Sequence, residues 1–151
     1  MDRPELGALL SRLLQEVVRR EQPLLDRAGL PMWDYVILNA LSGGDASTQA
    51  GLSAATGRDK TRLIDNLDRL EQRGLVTRTP DPGDRRNRIV SLTAEGRQVL
   101  ERCHTAISAM EEELLAGLPP AERAAFERAL VRLAGDSAPA PGAPGALGAP
   151  G

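Results

Sequence analysis

The sequence predicts a mainly α-helical fold with a small β-hairpin, and three observations carry that expectation. Apolar residues recur at helical spacing through most of the chain. One stretch, residues 75–92, instead sets β-branched residues on either side of a Pro/Asp/Gly-rich turn. Positive charge collects around that stretch and the helix before it: residues 58–88 hold nine cations against six acids, a net of +3, while the whole chain is −2. The chain has 151 residues, 41% hydrophobic and 26% charged, which suits one folded domain with a short extension.

In order, Leu6, Leu9, Leu10, Leu13, Leu14, Val17 and Val18 form one face of a long amphipathic helix. Pro23 bends or breaks it, and Gly29 stops it. Pro31 starts a second helix, Met32 to Leu41, followed by a turn at Ser42-Gly43-Gly44-Asp45. Ser47 or Thr48 caps a short third helix that ends at Thr56-Gly57. From Asp59, a fitting N-cap, a fourth helix runs to about residue 73, with Leu63, Ile64, Leu67 and Leu70 as its apolar face and Gly74 as its stop. Residues 75–79 and 88–92 read as the hairpin strands. Thr93 caps a long fifth helix with the stripe Val99, Leu100, Cys103, Ile107, Met110 and Leu114, and Pro119-Pro120 opens a sixth whose apolar face is Ala125, Phe126, Ala129, Leu130 and Leu133. The charge-free Pro/Ala/Gly run 137–151 reads as a disordered tail.

Helix, turn, helix and hairpin framed by long helices is the order of a winged helix-turn-helix, here within residues 1–136. A DNA-binding lobe is expected over about 31–93 and dimerisation helices over about 5–28 and 94–134. The physics points to double-stranded DNA as partner: a helix fills the major groove while a hairpin sets an Arg in the adjacent minor groove. On the fourth helix, Arg62, Asp65, Asn66, Arg69 and Arg73 are expected opposite the leucines, with Lys60 and Thr61 at its start. Recognition by stacking of single-stranded bases is excluded by aromatics of only 2%. No Gly-rich phosphate loop, metal-ligand spacing or nucleophile with a base is present, so no enzyme activity, metal or cofactor is expected.

The segment Asp81–Gly96, DPGDRRNRIVSLTAEG, resembles the wing signature of the multiple antibiotic resistance regulator (MarR) family, with Asp84, Arg86, Leu92 and Thr93 at the matching positions. LDRLEQRGLVTR (67–78) is similar to that family's recognition-helix end and first wing strand, TQAGLSAATGRDKTRLIDN to its preceding helix-turn-helix, and WDYVILNAL to its second helix. The resemblance covers about residues 5–134. It implies a homodimer with interlocked terminal helices, two lobes on an inverted-repeat operator, and ligand-responsive repression. It also implies that Arg86 enters the minor groove, that Asp84 holds the guanidinium or the loop in place, and that Arg85 and Arg88 contact phosphates. The chain departs from the family at Arg62, where a small hydroxyl residue is common, and at Asp65, where a cation often sits. Arg62 or Arg69, at helical spacing, is expected to neutralise Asp65.

Several residues carry two readings. Trp33 and Tyr35 either line a cleft for a small lipophilic or phenolic effector, between the first, second and fifth helices, or pack in the core. Cys103 lies on an apolar stripe and reads as core, the alternative being a redox sensor. A winged-helix module for protein partners is the other functional class, although such a hairpin has no need of Arg85, Arg86 and Arg88. The lone Cys, the lack of a signal peptide and the lack of a 20-residue apolar run set the cytoplasm, with no membrane partner, as the expected location.

Overall fold

The computed structural model describes residues 3–42 and 47–135. The elements run α1 (Leu6–Ala28), α2 (Met32–Leu41), β1 (Ser47–Thr48), α3 (Gln49–Thr56), α4 (Lys60–Gln72), β2 (Val76–Pro80), β3 (Arg88–Leu92), α5 (Ala94–Leu115) and α6 (Pro120–Ala134). The tail 137–151 and the turn residues Gly43, Gly44 and Asp45 lie outside the described residues.

Local chemistry sets the helix ends. The side chains of Thr48, Asp59 and Thr93 accept hydrogen bonds from the backbone N–H groups of Gly51, Arg62 and Gly96, satisfying donors that a first helical turn leaves orphaned. Gly29 and Gly57 close α1 and α3 in the left-handed conformation, at φ 65° and 71°. Pro23 does not break α1, which runs unbroken through it. The hairpin gains a third strand that the sequence pattern does not announce: β1 pairs antiparallel with β3 (Ser47 with Val90, Thr48 with Ile89), so the sheet order is β1-β3-β2. A two-residue strand has no room for alternation, so only its tertiary pairing reveals it.

The core lies between α2, α3, α4 and the sheet and continues along α5. Leu38, Leu63, Leu67, Leu70, Val76 and Val90 are essentially inaccessible to solvent. α2 is buried nearly all round. The wing joins α5 through close backbone packing: Thr93 Oγ1 donates to the Gly74 carbonyl at 2.6 Å, Thr93 N–H donates to the Leu75 carbonyl at 3.1 Å, and a Cβ at Gly96 would overlap that same Leu75 carbonyl oxygen. Glycine is required at 96 by this approach.

The terminal helices are different. α6 buries no residue, and Val131 and Leu133 are 72% and 81% exposed. Leu6, Leu9, Leu10 and Leu14 of α1 also face solvent. The apolar face expected of α6 therefore exists as a stripe, of which the single chain half-buries Phe126 and leaves Ala125, Ala129, Leu130 and Leu133 exposed.

Candidate nucleic-acid interface

α4 opens with Lys60, Thr61 and Arg62, all exposed. The Asp59 side chain caps this turn and its other oxygen lies 3.5 Å from Arg62 Nε. The first turn of α4 thus presents two cations and a hydroxyl at a helix N-terminus, where free N–H groups also favour anions.

Asn66 is not on this exposed face. It is 1% accessible, its Nδ2 donates to Asp34 Oδ1 of α2 at 2.6 Å, and its Oδ1 accepts from Arg58 Nε at 3.2 Å. The reason is its spacing: position 66 is three residues from Leu63 and four from Leu70, which puts it in the buried stripe. Ile64 takes the opposite course. Expected in the apolar face, it is 40% exposed.

Arg58 and Asp34 complete a polar cluster that sequence reasoning did not assign. The Arg58 guanidinium lies 4.5 Å from the centre of the Trp33 ring, a cation–π contact, while it also donates to Asn66. Asp34, 1% accessible, accepts from Asn66 and lies 3.5 Å from Arg69 Nη2. The cluster pins α4 to α2, and Arg73 adds a second tie by donating from Nη1 to the Gly29 carbonyl at 2.7 Å. Asp34 is the one charged residue of α2 and the signal for this cluster in the sequence, since a carboxylate in a helix that is otherwise mostly apolar demands partners.

Asp65 finds neither expected neutraliser. Arg62 pairs with Asp59 and Arg69 with Asp34, and among the described residues no cation lies within 4.0 Å of Asp65. Both arginines are drawn to nearer carboxylates.

In the wing, Asp84 Oδ1 accepts the backbone N–H of Arg86 at 3.0 Å, and Asp81 Oδ1 accepts that of Gly83 at 2.9 Å. Of the two roles weighed for Asp84, the geometry has it ordering loop backbone. Arg85, Arg86 and Arg88 are exposed, and among the described residues no carboxylate lies within 4.0 Å of them. Arg78 of β2 is the contrast: Asp68 at 2.5 Å and Glu71 at 3.2 Å neutralise it, and its hydrogen bonds, with its charge, hold the Glu71 carboxyl below its ordinary value. The helix and the wing tip meet at a hollow of about 230 Å³ lined by Gln49, Ala50, Lys60, Leu63, Ile64, Arg86 and Asn87.

Trp33 and Tyr35, read either as lining one effector cleft or as core, have separate surroundings. Trp33 packs under Arg58, whereas Tyr35 is buried with its ring edge-on to His104 of α5, whose Nε2 lies 2.7 Å from Asn39 Oδ1. Residues two apart on a helix point about 200° from each other, so one cleft does not take both. Burial holds the Tyr35 phenol up at about 12 and raises the Cys103 thiol above its ordinary value. Cys103 is 3% accessible, and its stripe on α5 packs in the core from Val99 to Met110, with Leu114 only half-buried. Nearby Glu21 is 2% accessible with one oxygen lacking any hydrogen-bond partner, and burial, reinforced by Glu111, pushes its carboxyl up. Among the described residues no three His, Cys, Asp or Glu side chains converge to hold a metal, and no helix is long and apolar enough to cross a membrane.

A capped helix and an Arg-tipped hairpin on one face, with long helices behind them, define a winged helix-turn-helix protein. The model of the MarR family matches residues 28–87. The transcriptional regulator HosA of Escherichia coli O111:H- is 34% identical over 117 residues, covering 78% of this chain and 85% of HosA. A crystal structure of a cysteine-to-serine mutant of MarR from E. coli superposes with a TM-score of 0.81 at 26% identity, covering 89% of this chain and all of that one, and the same mutant complexed with operator DNA does so with a TM-score of 0.71 at 28% identity, covering 85% and 92%. BpsR of Bordetella bronchiseptica, whose DNA binding is regulated by 6-hydroxynicotinic acid, matches with a TM-score of 0.71 at 30% identity, covering 86% and 93%. The chain belongs to the MarR family of transcriptional regulators.

Proposed function

We propose that this regulator binds an inverted-repeat operator in double-stranded DNA as a homodimer, represses transcription there, and is released by a small lipophilic or phenolic effector, acting by binding and not by turnover. The observation that carries the reading is that Lys60 at the start of α4 and Arg86 at the wing tip line the same hollow. Helix and wing thereby offer one cationic face to adjacent grooves. In this reading Arg62 and Thr61 approach base edges in the major groove, and Lys60 and Arg69 phosphates. Arg86 enters the minor groove on a loop already ordered by Asp84, and Arg85 and Arg88 flank it on the backbone. Ordering the loop beforehand lowers the entropy lost on binding.

The exposed leucines of α1 and the largely exposed stripe of α6 support a dimer built from the terminal helices. The operator complex of MarR supports the DNA partner, and the regulation of BpsR by an aromatic acid supports the effector. For the effector, Tyr35 on the α2–α5 side is the better candidate of the two aromatics, because Trp33 is engaged by Arg58. Residues 94–134 belong with 5–28 to the dimerising part, and 31–93 to the lobe on DNA.

Selection of bound duplexes from random DNA tests the reading. An enriched inverted repeat, with the protein sedimenting near twice 16.1 kDa, is the expected result. Failure to enrich any duplex overturns it.

A further inference from the structure

Ile64 is an apolar residue on the exposed side of a helix whose other exposed positions are charged or polar. Its helical neighbours are Lys60 and Thr61 one turn before and buried Leu67 and half-buried Asp68 one turn after, and 40% of its surface is open to solvent. It borders the hollow between α4 and the wing, whose apolar wall is Ala50, Leu63 and Ile64 and whose rim carries Lys60, Arg86, Gln49 and Asn87. A helix in a major groove and a hairpin in the next minor groove straddle one sugar–phosphate strand, so that strand runs along this hollow. Lys60 complements its phosphates on one side, and on the other Arg86 reaches past it toward the minor groove. The hollow's wall on the α4 side then meets the major-groove edge of the bases.

Resting on the DNA reading above, we infer that Ile64 reads a thymine in each half-site through its C5-methyl group. Thymine is the base that presents a methyl group in the major groove. A branched alkyl side chain satisfies no donor or acceptor, so it favours thymine over cytosine at the same step by burying the methyl. Lys60 contributes charge, which is indifferent to sequence, and Arg86 responds to the minor groove, whereas Ile64 adds discrimination in the major groove.

The experiment replaces each thymine of the selected operator, one position at a time, with deoxyuridine, which pairs identically but lacks the methyl. Binding is measured for the wild type, Ile64→Ala and Ile64→Val, with helical content checked by circular dichroism. For the wild type, one symmetry-related thymine position loses about fourfold per half-site, the worth of one buried methyl. Ile64→Ala loses a similar factor on the natural operator and is indifferent to deoxyuridine at that position, while Ile64→Val keeps the sensitivity. The inference is overturned, with the DNA reading intact, if the wild type binds all the deoxyuridine operators equally well or if Ile64→Ala weakens binding yet keeps the sensitivity. If no duplex is enriched at all, both readings fall together.

Discussion

The lobe around α4 and the outer ends of α1 and α6 carry the same kind of apolar stripe, yet they meet different fates. Leu63, Leu67 and Leu70 are sealed against α2 and the sheet, whereas Leu6, Leu9, Leu10, Leu130 and Leu133 are open to solvent in the single chain. The contrast teaches that periodicity marks a face that is to be covered without saying what covers it. In the lobe the cover is intramolecular, and its energy belongs to folding. At the terminal helices the proposed cover is a second copy, and its energy belongs to association.

The sharpest way to break this comparison is to delete the same atoms from both regions. Leu67→Ala is expected to cost about 2–5 kcal/mol in denaturant unfolding, the usual cost of emptying a tight core site, with no dependence on protein concentration. Leu133→Ala is expected to leave the unfolding of the lobe in place and to raise only the concentration at which the sedimenting species falls to a monomer. Equal, concentration-independent losses from both would mean that α6 packs within its own chain.

A smaller effect is expected at the joint between the two regions. Gly96→Ala pushes a methyl into the Leu75 carbonyl oxygen, which is backbone held by the Thr93 hydrogen bond and has no rotamer by which to move away. Overpacking of this kind costs about 1–3 kcal/mol, read as a lower thermal midpoint. Gly7→Ala, at an open position of α1, is the control and is expected to lose nothing.

Within the lobe, Asn66→Leu replaces the donor to buried Asp34 with an alkyl group. Leaving that carboxylate with only the long Arg69 contact costs about 1–3 kcal/mol, and operator affinity is expected to fall with stability because Arg58 loses its Asn66 partner and α4 loses a tie to α2. Discrimination between operator and random duplex at the stability-matched temperature is expected to persist, since Asn66 lies inside the lobe. Loss of preference at one base pair, with stability unchanged, would return Asn66 to the reading face.

The smallest effect concerns pH at the α1–α5 contact. Glu21 has a raised carboxyl pKa when folded, so the native state holds its proton more tightly than the unfolded chain does. The stabilising contribution is therefore full below the ordinary carboxylate pKa and declines as pH rises from there through the folded value. Glu21→Gln is expected to remove this decline and to unfold at a higher temperature than the wild type near neutral pH, with the two converging in acid. Glu16 acts in the opposite sense: the arginines at 19 and 20 hold its carboxyl down at about 2, so its contribution is present above the ordinary carboxylate range and is lost on acidification toward that value. A wild-type stability profile that climbs steadily from pH 4 to 8, unaltered by Glu21→Gln, would remove Glu21 from this account.

Local signals alone determined most of the architecture. Asp59 and Thr93 cap the helices they were expected to cap, α2 has the bounds that Pro31 and the apolar run imply, and the hairpin flanks its Pro/Asp/Gly turn. These features follow from hydrogen bonds and sterics within a few residues, which a sequence states directly. The wing cations were legible for the same reason, because a charged tip on a tight turn is exposed whatever lies behind it. What only the tertiary structure decided is the facing of particular side chains on α4 and α2. Position 66 sits three residues from Leu63, and position 64 lies beside the same stripe. A helix of 3.6 residues per turn leaves such edge positions free to go either way until its rotation against its neighbours is set. That rotation is fixed here by Leu63, Leu67 and Leu70 sealed in the core, with Asn66 turned inward to meet Asp34, thirty-two residues away, and Ile64 left beside the wing.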